Sequence, residues 1–258
     1  MRCKNLFLKN NKTSKATQYA TRFNNRTSEH STNQRRPVIS FEGIDGAGKT
    51  TYIAPLQAAF AAQGRAVLCS REPGGTPLAE ALRALLLKQG MDGLTEALLM
   101  FAARRDHVRQ VIAPALARGE VVLCDRFADA SFAYQGGGRG FDWATLQSIE
   151  HMVLAQSAPT SPNGTNCGSG ANDCTTLLQP DLTFWFDLPA ATAAQRIAGR
   201  QAADRFEAES EAFFNRVAAA YARRAAEAPH RIVHIDAAQS PENVWQQIQT
   251  TLQQRGWL

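Results

Sequence analysis

Residues 38–50 read VISFEGIDGAGKT, a mostly apolar run that passes directly into a glycine-rich stretch. The second part matches the phosphate-loop pattern G-x-x-x-x-G-K-[ST] from Gly43 to Thr50. Such a loop must follow a strand and open a helix. Residues 38–44 have the composition of a buried strand, and residues 49–63 are compatible with a helix. The stretch therefore predicts a loop whose backbone N–H groups and helix N-terminus bind nucleotide phosphates.

The parts of this loop have separate expected roles. Lys49 should reach the β- and γ-phosphates of ATP, and the Thr50 hydroxyl should face Mg²⁺. The residues expected to bind the nucleotide are Gly43, Ile44, Asp45, Gly46, Ala47, Gly48, Lys49 and Thr50. Because GTPases, motors and small-molecule kinases share this loop, it does not assign a function by itself.

Apolar runs alternate with helical patterns along the rest of the chain. Strands are predicted at 38–44, 66–70, 121–124, 182–188 and 232–235. Helices are predicted at 49–63, 77–88, 95–118, 143–156, 190–200, 208–226 and 241–254. This alternation predicts an α/β fold, a doubly wound five-stranded parallel sheet with ligands at the carboxyl ends of its strands.

Two segments fall outside the alternation. Residues 1–36 hold nine Lys and Arg against one acid, and their composition predicts a disordered extension. A mitochondrial transit peptide and a misassigned start codon would both look like this, so we expect a cytoplasmic protein with an organellar one as the alternative. Residues 157–179 are rich in Gly, Ser and Asn and predict a mobile loop inserted into the domain 37–258.

The charge of the chain is concentrated in its first residues. Residues 37–258 carry a net charge of −3, although the whole chain carries +5. The basic isoelectric point is therefore no argument for nucleic-acid binding by the folded part. No apolar run approaches the roughly 18 residues that cross a membrane, so no membrane association is expected.

Further motifs follow the predicted strands. They are REPGG at 71–75, LMFAARR at 99–105, DRF at 125–127, SFAYQGGGRG at 131–140, PDLTFWFDL at 180–188 and DRFE at 204–207. In this order, together with the phosphate loop, they resemble the motifs of bacterial thymidylate kinases. The resemblance implies a P-loop NTPase sheet of the nucleoside monophosphate kinase type. It also implies transfer of a phosphoryl group from ATP to dTMP for dTTP synthesis, Mg²⁺ as the cofactor, and a homodimer.

Arg71 and Arg126 stand at strand ends beside the phosphate loop, where they could clamp the 5′-phosphate of the acceptor. The resemblance implies that role for both, and the alternative is a surface salt bridge. Asp125 could hold Mg²⁺, directly or through water, or could instead orient Arg126.

The resemblance also implies contacts with the nucleoside of dTMP. Phe101 is expected to stack on the base, and Arg105, one helical turn later, to reach the base edge. Ser131 and Gln135 are candidates for bonds to the pyrimidine edge, and Tyr134 for a place against the deoxyribose. Asp45 is expected near the sugar 3′-hydroxyl.

A lid is expected over about 196–210, where Arg196, Arg200 and Arg205 lie. A phosphate loop without an arginine and a basic lid resemble the bacterial subclass of the family, which implies that the lid supplies the catalytic cation, from Arg200 or Arg205. Lys49, Arg126, Arg200 and Arg205 are therefore the predicted catalytic residues. The sequence leaves open which lid arginine acts.

Two other functions are weighed against this one. The first is another P-loop deoxynucleotide or deoxynucleoside kinase. A nucleoside kinase needs a base toward its hydroxyl acceptor, and Glu72 or Asp125 could serve. A nucleotide-binding protein without catalysis would not need the intact Lys49, Arg71 and Arg126. Paired strand-end arginines favour an acceptor that already carries a phosphate.

Overall fold

The computed structural model describes residues 37–157, 175–198 and 205–258. Its strands are β1 (Val38–Glu42), β2 (Val67–Arg71), β3 (Val121–Asp125), β4 (Ala155–Ser157), β5 (Thr175–Leu177), β6 (Leu182–Asp187) and β7 (Ile232–Asp236). Five of them form one parallel sheet in the order β2–β3–β1–β6–β7. The predicted α/β class and all five predicted strands are confirmed.

The helices are α1 (Ile53–Ala62), α2 (Pro77–Lys88), α3 (Gly93–His107), α4 (Ala113–Arg118), α5 (Ala128–Ser131), α6 (Trp143–Leu154), α7 (Ala190–Ile197), α8 (Glu211–Glu227) and α9 (Pro241–Gln254). Within the described residues, no helix is both long and apolar enough to cross a membrane.

Strand β1 is central because its sequence suits burial on both faces. All five of its residues are buried. Ile39 and Phe41 belong to the larger apolar core, and Val38 belongs to a second core with Val122 and Cys124. Alternate side chains of one strand thus anchor the two layers of helices that cover the sheet.

Two helical regions differ from their prediction. The predicted helix 95–118 is interrupted by a π-helical turn at Val108–Ile112, just before Pro114. No helix was predicted over 128–138, yet α5 continues there into a π-helical turn, Phe132–Gly138. Its three glycines are poor helix formers in isolation.

Tertiary packing explains those glycines. A Cβ atom on Gly137 would lie 2.5 Å from Cβ of Ala220, and one on Gly138 would lie 2.5 Å from the ring of Phe213. Both neighbours belong to α8, which therefore packs directly on the backbone of the turn. The glycines are required by this close approach.

The insertion predicted at 157–179 is bracketed by structure. Its ends form the antiparallel pair β4–β5, with Gln156 opposite Thr176. Residues 158–174, most of the predicted loop, lie outside the described residues, as do residues 1–36.

Glu42 ends β1 as a fully buried carboxyl group. Its Oε1 accepts the backbone N–H of Phe127 at 2.6 Å, and its Oε2 accepts the Tyr221 hydroxyl at 2.8 Å. Burial raises the pKa of Glu42 to about 8, and the charge of Asp129 adds to that shift. Glu42 thus ties the segment after β3 and helix α8 to the phosphate-loop strand.

Glu42→Gln tests this burial through the pH dependence of stability. Because the folded pKa is raised, the contribution of Glu42 is fully present below about pH 4.5 and is lost as pH rises toward 8. The free energy of unfolding of the wild type, minus that of the variant, should therefore fall between pH 5 and pH 8. Urea denaturation at several pH values measures it, with the exposed Glu211→Gln as control. A difference that does not change with pH would contradict the assignment.

Candidate active site

The phosphate loop connects β1 to a 3₁₀ turn, Lys49–Tyr52, that leads into α1. Gly43 has a φ of +136°, and a Cβ atom there would collide with the carbonyl group of Phe186. Only glycine lets the loop lie this close to β6. The backbone amides of the loop are thereby held at the carboxyl ends of the central strands.

Lys49 lies inside this loop. Its Nζ donates to the carbonyl oxygens of Gly43 at 3.0 Å and Ile44 at 2.9 Å, and lies 3.9 Å from Asp45 Oδ1. Burial first, and then the charge of Arg126, lower the pKa of Lys49 to about 8. The ammonium group is thus held at the loop by groups that a phosphate can replace.

A cavity of about 540 Å³ opens over the loop. Residues 45–52 form one wall, and the strand-end residues Arg71, Asp125 and Arg126 form another. A further wall comes from a region without a predicted role: Ala237, Gln239, Pro241 and Val244. A phosphate loop together with partly apolar walls suits a nucleotide.

Arg126 lies between the loop and the next cavity. Its Nη1 donates to Gly43 O at 2.9 Å, and its Nη2 donates to Asp45 Oδ1 at 2.7 Å and to the Tyr134 hydroxyl at 3.2 Å. Its backbone φ of +69° lies in the left-handed region, which is unfavourable for a residue with a side chain. Such backbone is retained where the surroundings fix it, commonly at functional sites.

The charges around Arg126 shift the pKa values of neighbouring side chains. Burial opposes ionisation of Asp45, but Arg126 and then Lys49 outweigh it and lower the pKa of Asp45 to about 2. Burial raises the pKa of Tyr134 well above its usual value. At neutral pH the site therefore contains an aspartate anion and a neutral tyrosine.

A second cavity, of about 150 Å³, adjoins the first. The two share Asp45, Glu72, Arg83 and Arg126. The second is also lined by Met100, Arg104, Ser131, Tyr134, Gln135 and Phe206. Of the residues predicted to bind the acceptor, Asp45, Arg126, Ser131, Tyr134 and Gln135 are brought together here.

The prediction for Phe101 and Arg105 is wrong by one residue. Phe101 is 1% exposed and packs in a core cluster with Phe132 and Leu146, behind Arg104, and it does not itself line the cavity. Arg105 donates to the carbonyl of Val153 at 2.7 Å. On α3, the cavity-facing pair is Met100 and Arg104, which keep the same spacing of four residues.

The hydrogen bonds of Arg104 fix the orientation of that face of α3. Its guanidinium donates to Glu72 Oε2 at 2.7 Å, to Phe127 O at 3.0 Å and to Ser131 Oγ at 3.2 Å. Glu72 in turn bonds His107 Nδ1 at 3.0 Å. The sequence contains the signal, two consecutive arginines, but no pattern that says which one turns inward.

The arginines near the strand ends are arranged differently from the prediction. Arg71 lines the first cavity, and its Nη2 donates to both carboxylate oxygens of Glu80, at 2.9 and 3.0 Å. Arg83, which had no predicted role, borders both cavities and donates to Pro73 O at 3.0 Å. Because Arg83 lies one helical turn after Glu80 on α2, the sequence could have indicated that its side chain faces the same site.

Arg205 does not lie at the phosphate loop, which corrects its predicted catalytic position. It donates to Glu96 Oε2 at 2.6 Å and to Leu86 O at 3.2 Å, and it is not among the residues that line either cavity. A buried carboxylate is its stronger partner. Arg196 lines the first cavity and donates to Ala237 O at 3.2 Å. Arg200 lies outside the described residues.

Two predicted metal ligands meet at the first cavity. Thr50 is exposed there, and Asp125 Oδ1 is buried without a hydrogen-bond partner among the described residues. A hydroxyl and an unpaired carboxylate oxygen beside phosphate-binding amides suit Mg²⁺. A second group of possible metal ligands consists of Glu72, His107 and Cys124, whose ligand atoms lie within 4.8 Å of one another. There the Glu72 and His107 ligand atoms already bond each other.

The comparisons agree with this geometry. The family model described as "Thymidylate kinase" matches residues 41–162 and 153–248. A thymidylate kinase of Verminephrobacter eiseniae is 59% identical over 221 residues, covering 85% of this chain and 92% of the relative. One of Albidiferax ferrireducens is 55% identical over 220 residues, covering 85% and 96%. The crystal structure of thymidylate kinase from Ehrlichia chaffeensis is 31% identical, with a TM-score of 0.61, covering 84% of this chain and 98% of that one.

Alanine substitutions of Met100 and Phe101 distinguish a residue that lines the cavity from one that packs in the core. Phe101→Ala should lower the free energy of unfolding by about 3–5 kcal/mol, because it empties a closed core site. Met100→Ala removes a half-buried side chain at the cavity and should cost less than half as much. Urea denaturation of both variants measures the difference. Equal losses of free energy of unfolding in the two variants would mean that Phe101 and Met100 are equally important to the core, and would contradict this assignment.

Proposed function

The chain belongs to the thymidylate kinase family and phosphorylates dTMP to dTDP, and we propose that its two adjoining cavities are the ATP and dTMP sites. The larger cavity contains the phosphate loop, and the smaller one contains the family's acceptor motifs. The observation that carries the assignment is Arg126, which borders both cavities. The comparisons give no support to the alternative of another P-loop kinase.

The reaction needs a cation where the two phosphates meet. An oxygen of the dTMP phosphate attacks the γ-phosphorus of ATP, and the bond from that phosphorus to the β–γ bridging oxygen breaks, releasing ADP. Arg126 stands at this boundary, and Lys49 can exchange its loop carbonyls for phosphate oxygens. Positioning and charge stabilisation, without a covalent nucleophile, then account for catalysis.

Three arginines are placed to bind the phosphate of dTMP. Arg126 and Arg83 line both cavities, and Arg71 lines the larger one beside them. The contact between Arg71 and Glu80 is exposed, so it is easily exchanged for a phosphate. Three cations at one place favour an acceptor that is already phosphorylated.

The nucleoside half of dTMP would occupy the smaller cavity. Met100 offers an apolar, polarisable face to the base in place of the predicted Phe101. Ser131 and Gln135 remain the candidates for the base edge and Tyr134 for the sugar. Asp45, bonded to Arg126 and close to Tyr134, remains the candidate for the 3′-hydroxyl.

Thr50 and Asp125 would hold Mg²⁺, on the evidence of the unpaired Asp125 Oδ1. The ion, when bound, neutralises charge on the β- and γ-phosphates. In the lid, Arg200 remains the proposed catalytic arginine because of the family resemblance. Arg205 instead forms an ion pair with the buried carboxylate of Glu96. The bacterial relatives support a cytoplasmic location, which is proposed for this chain.

Arg126→Ala tests the boundary role. A Mg²⁺-ATP coupled assay with dTMP, dUMP, UMP, dCMP and thymidine should show turnover led by dTMP, and none without Mg²⁺. The variant should lose about 10²- to 10³-fold in kcat with dTMP, because a preorganised transition-state donor is removed. Arg105→Ala is the control. Arg105 bonds Val153 O and lines neither cavity, so this variant should keep a kcat near that of the wild type. Turnover led by thymidine would contradict the phosphorylated acceptor.

A homodimer is also proposed, from the family resemblance and one surface. Leu78 and Leu85 on α2 and Leu94 and Leu98 on α3 are 42–53% exposed, and these helices pack together. Met152 on α6 is 70% exposed. Apolar side chains gathered on neighbouring helices mark an association surface.

Leu98→Asp should separate the dimer, because burying a carboxylate in an apolar interface is unfavourable. Light scattering after gel filtration should give about twice the 28.2 kDa chain mass for wild type and the chain mass itself for the variant. Ala222→Asp, on the exposed face of α8, is the matched control. A wild-type mass of one chain, or a Leu98→Asp dimer, would overturn this surface.

A further inference from the structure

Glu96 is a fully buried carboxylate on α3 for which the sequence suggested no role. Its Oε1 accepts the Gln135 side-chain amide at 2.6 Å, and its Oε2 accepts Arg205 Nη2 at 2.6 Å. Arg139 Nε lies 3.5 Å from the same Oε2. Arg205 is thus hydrogen-bonded to one oxygen, with the charge of Arg139 close to it, and the other oxygen is left for Gln135.

This contact fixes the orientation of the Gln135 amide. A carboxylate only accepts hydrogen bonds, so the NH₂ group of Gln135 must face Glu96. Oε1 of Gln135 is then the remaining end, and it is buried without a hydrogen-bond partner among the described residues. Gln135 lines the smaller cavity. A buried acceptor without a partner is costly, so a donor on the ligand would stabilise it.

We propose that Glu96 is a positioning residue that sets base specificity by holding Gln135 with its carbonyl oxygen available to the pyrimidine ring. Thymine and uracil carry a hydrogen on N3 and can donate to this oxygen. The N3 of cytosine is an acceptor and would face another acceptor. A site built to pair one ring N–H rejects a ring that lacks it. This inference rests on the proposed dTMP site.

The isosteric change Glu96→Gln predicts a specific rearrangement. Arg205 and Arg139 require an acceptor, so the new side chain should place its oxygen toward them and its NH₂ group toward Gln135. Gln135 must then turn its own oxygen toward position 96. Its NH₂ group becomes the end available to the base, which suits cytosine and opposes thymine.

The test measures kcat/KM for dTMP, dUMP and dCMP with the full chain. In Glu96→Gln, the dTMP-to-dCMP ratio should fall by about tenfold or more, because a buried donor–acceptor pair is mismatched. The dTMP-to-dUMP ratio should not change, since both bases carry the N3 hydrogen. Glu150→Gln is the matched control: Glu150 is also buried and bonded to an arginine, Arg224, but is not among the residues that line either cavity. Its ratios should equal those of wild type.

A second variant separates positioning from a merely structural role. Gln135→Met should lower the dTMP-to-dCMP ratio by itself, and in that background Glu96→Gln should have no further effect on it. An equal loss with all three nucleotides in Glu96→Gln would overturn the inference while leaving the dTMP kinase assignment intact. So would an unchanged ratio in Gln135→Met, even if Glu96→Gln does not fold. Failure of the wild type to use dTMP would instead remove the proposed function.

Discussion

The guanidinium of Arg126 joins the phosphate loop to the smaller cavity. It donates to the backbone of Gly43 at 2.9 Å and to Asp45 at 2.7 Å, while the Tyr134 ring lies beneath it. Its left-handed backbone is fixed because Arg126 N donates to Phe41 O at 3.0 Å. Parallel pairing of β1 with β3 brings these groups together. The strands thus bring distant sequence motifs together in one charged centre between the two cavities.

Buried ionic contacts extend outward from this centre. Glu42 ties the segment after Arg126 to β1, and Glu72 holds Arg104 against Ser131. The Glu72 carboxylate is bonded through both oxygens, to Arg104 and His107, which is the condition under which burial of a charge is tolerated. Glu42, whose pKa burial raises to about 8, is instead held mainly as a neutral carboxyl group at neutral pH. The smaller cavity is accordingly shaped by polar groups that orient one another, and a change to one partner is expected to alter the shape of the cavity as well as the stability of the protein.

The site could be predicted where a motif fixes the backbone, and not where a helix face decides. The phosphate loop, Asp45 and Arg126 directly follow strands, so the sheet fixes their positions. Tyr134 and Gln135 were indicated by their motif, although the turn that contains them is shaped by packing against α8. Phe101 and Arg105 were misassigned because helix α3 has apolar and basic residues side by side at 100–101 and 104–105. Its rotation is set by packing against Phe132 and Leu146. Arg83 and Glu96 were missed for the same reason.

The sequence by itself determined the fold class, the phosphate loop and the membership of the thymidylate kinase family. Its glycines, its buried strands and the order of its motifs are local features that need no knowledge of distant contacts. Only the tertiary structure decided which face of α3 lines the smaller cavity, that Arg205 pairs with Glu96, and that Gln135 Oε1 has no hydrogen-bond partner among the described residues. These outcomes depend on side chains from separate elements competing for the same buried partners, which no local pattern encodes.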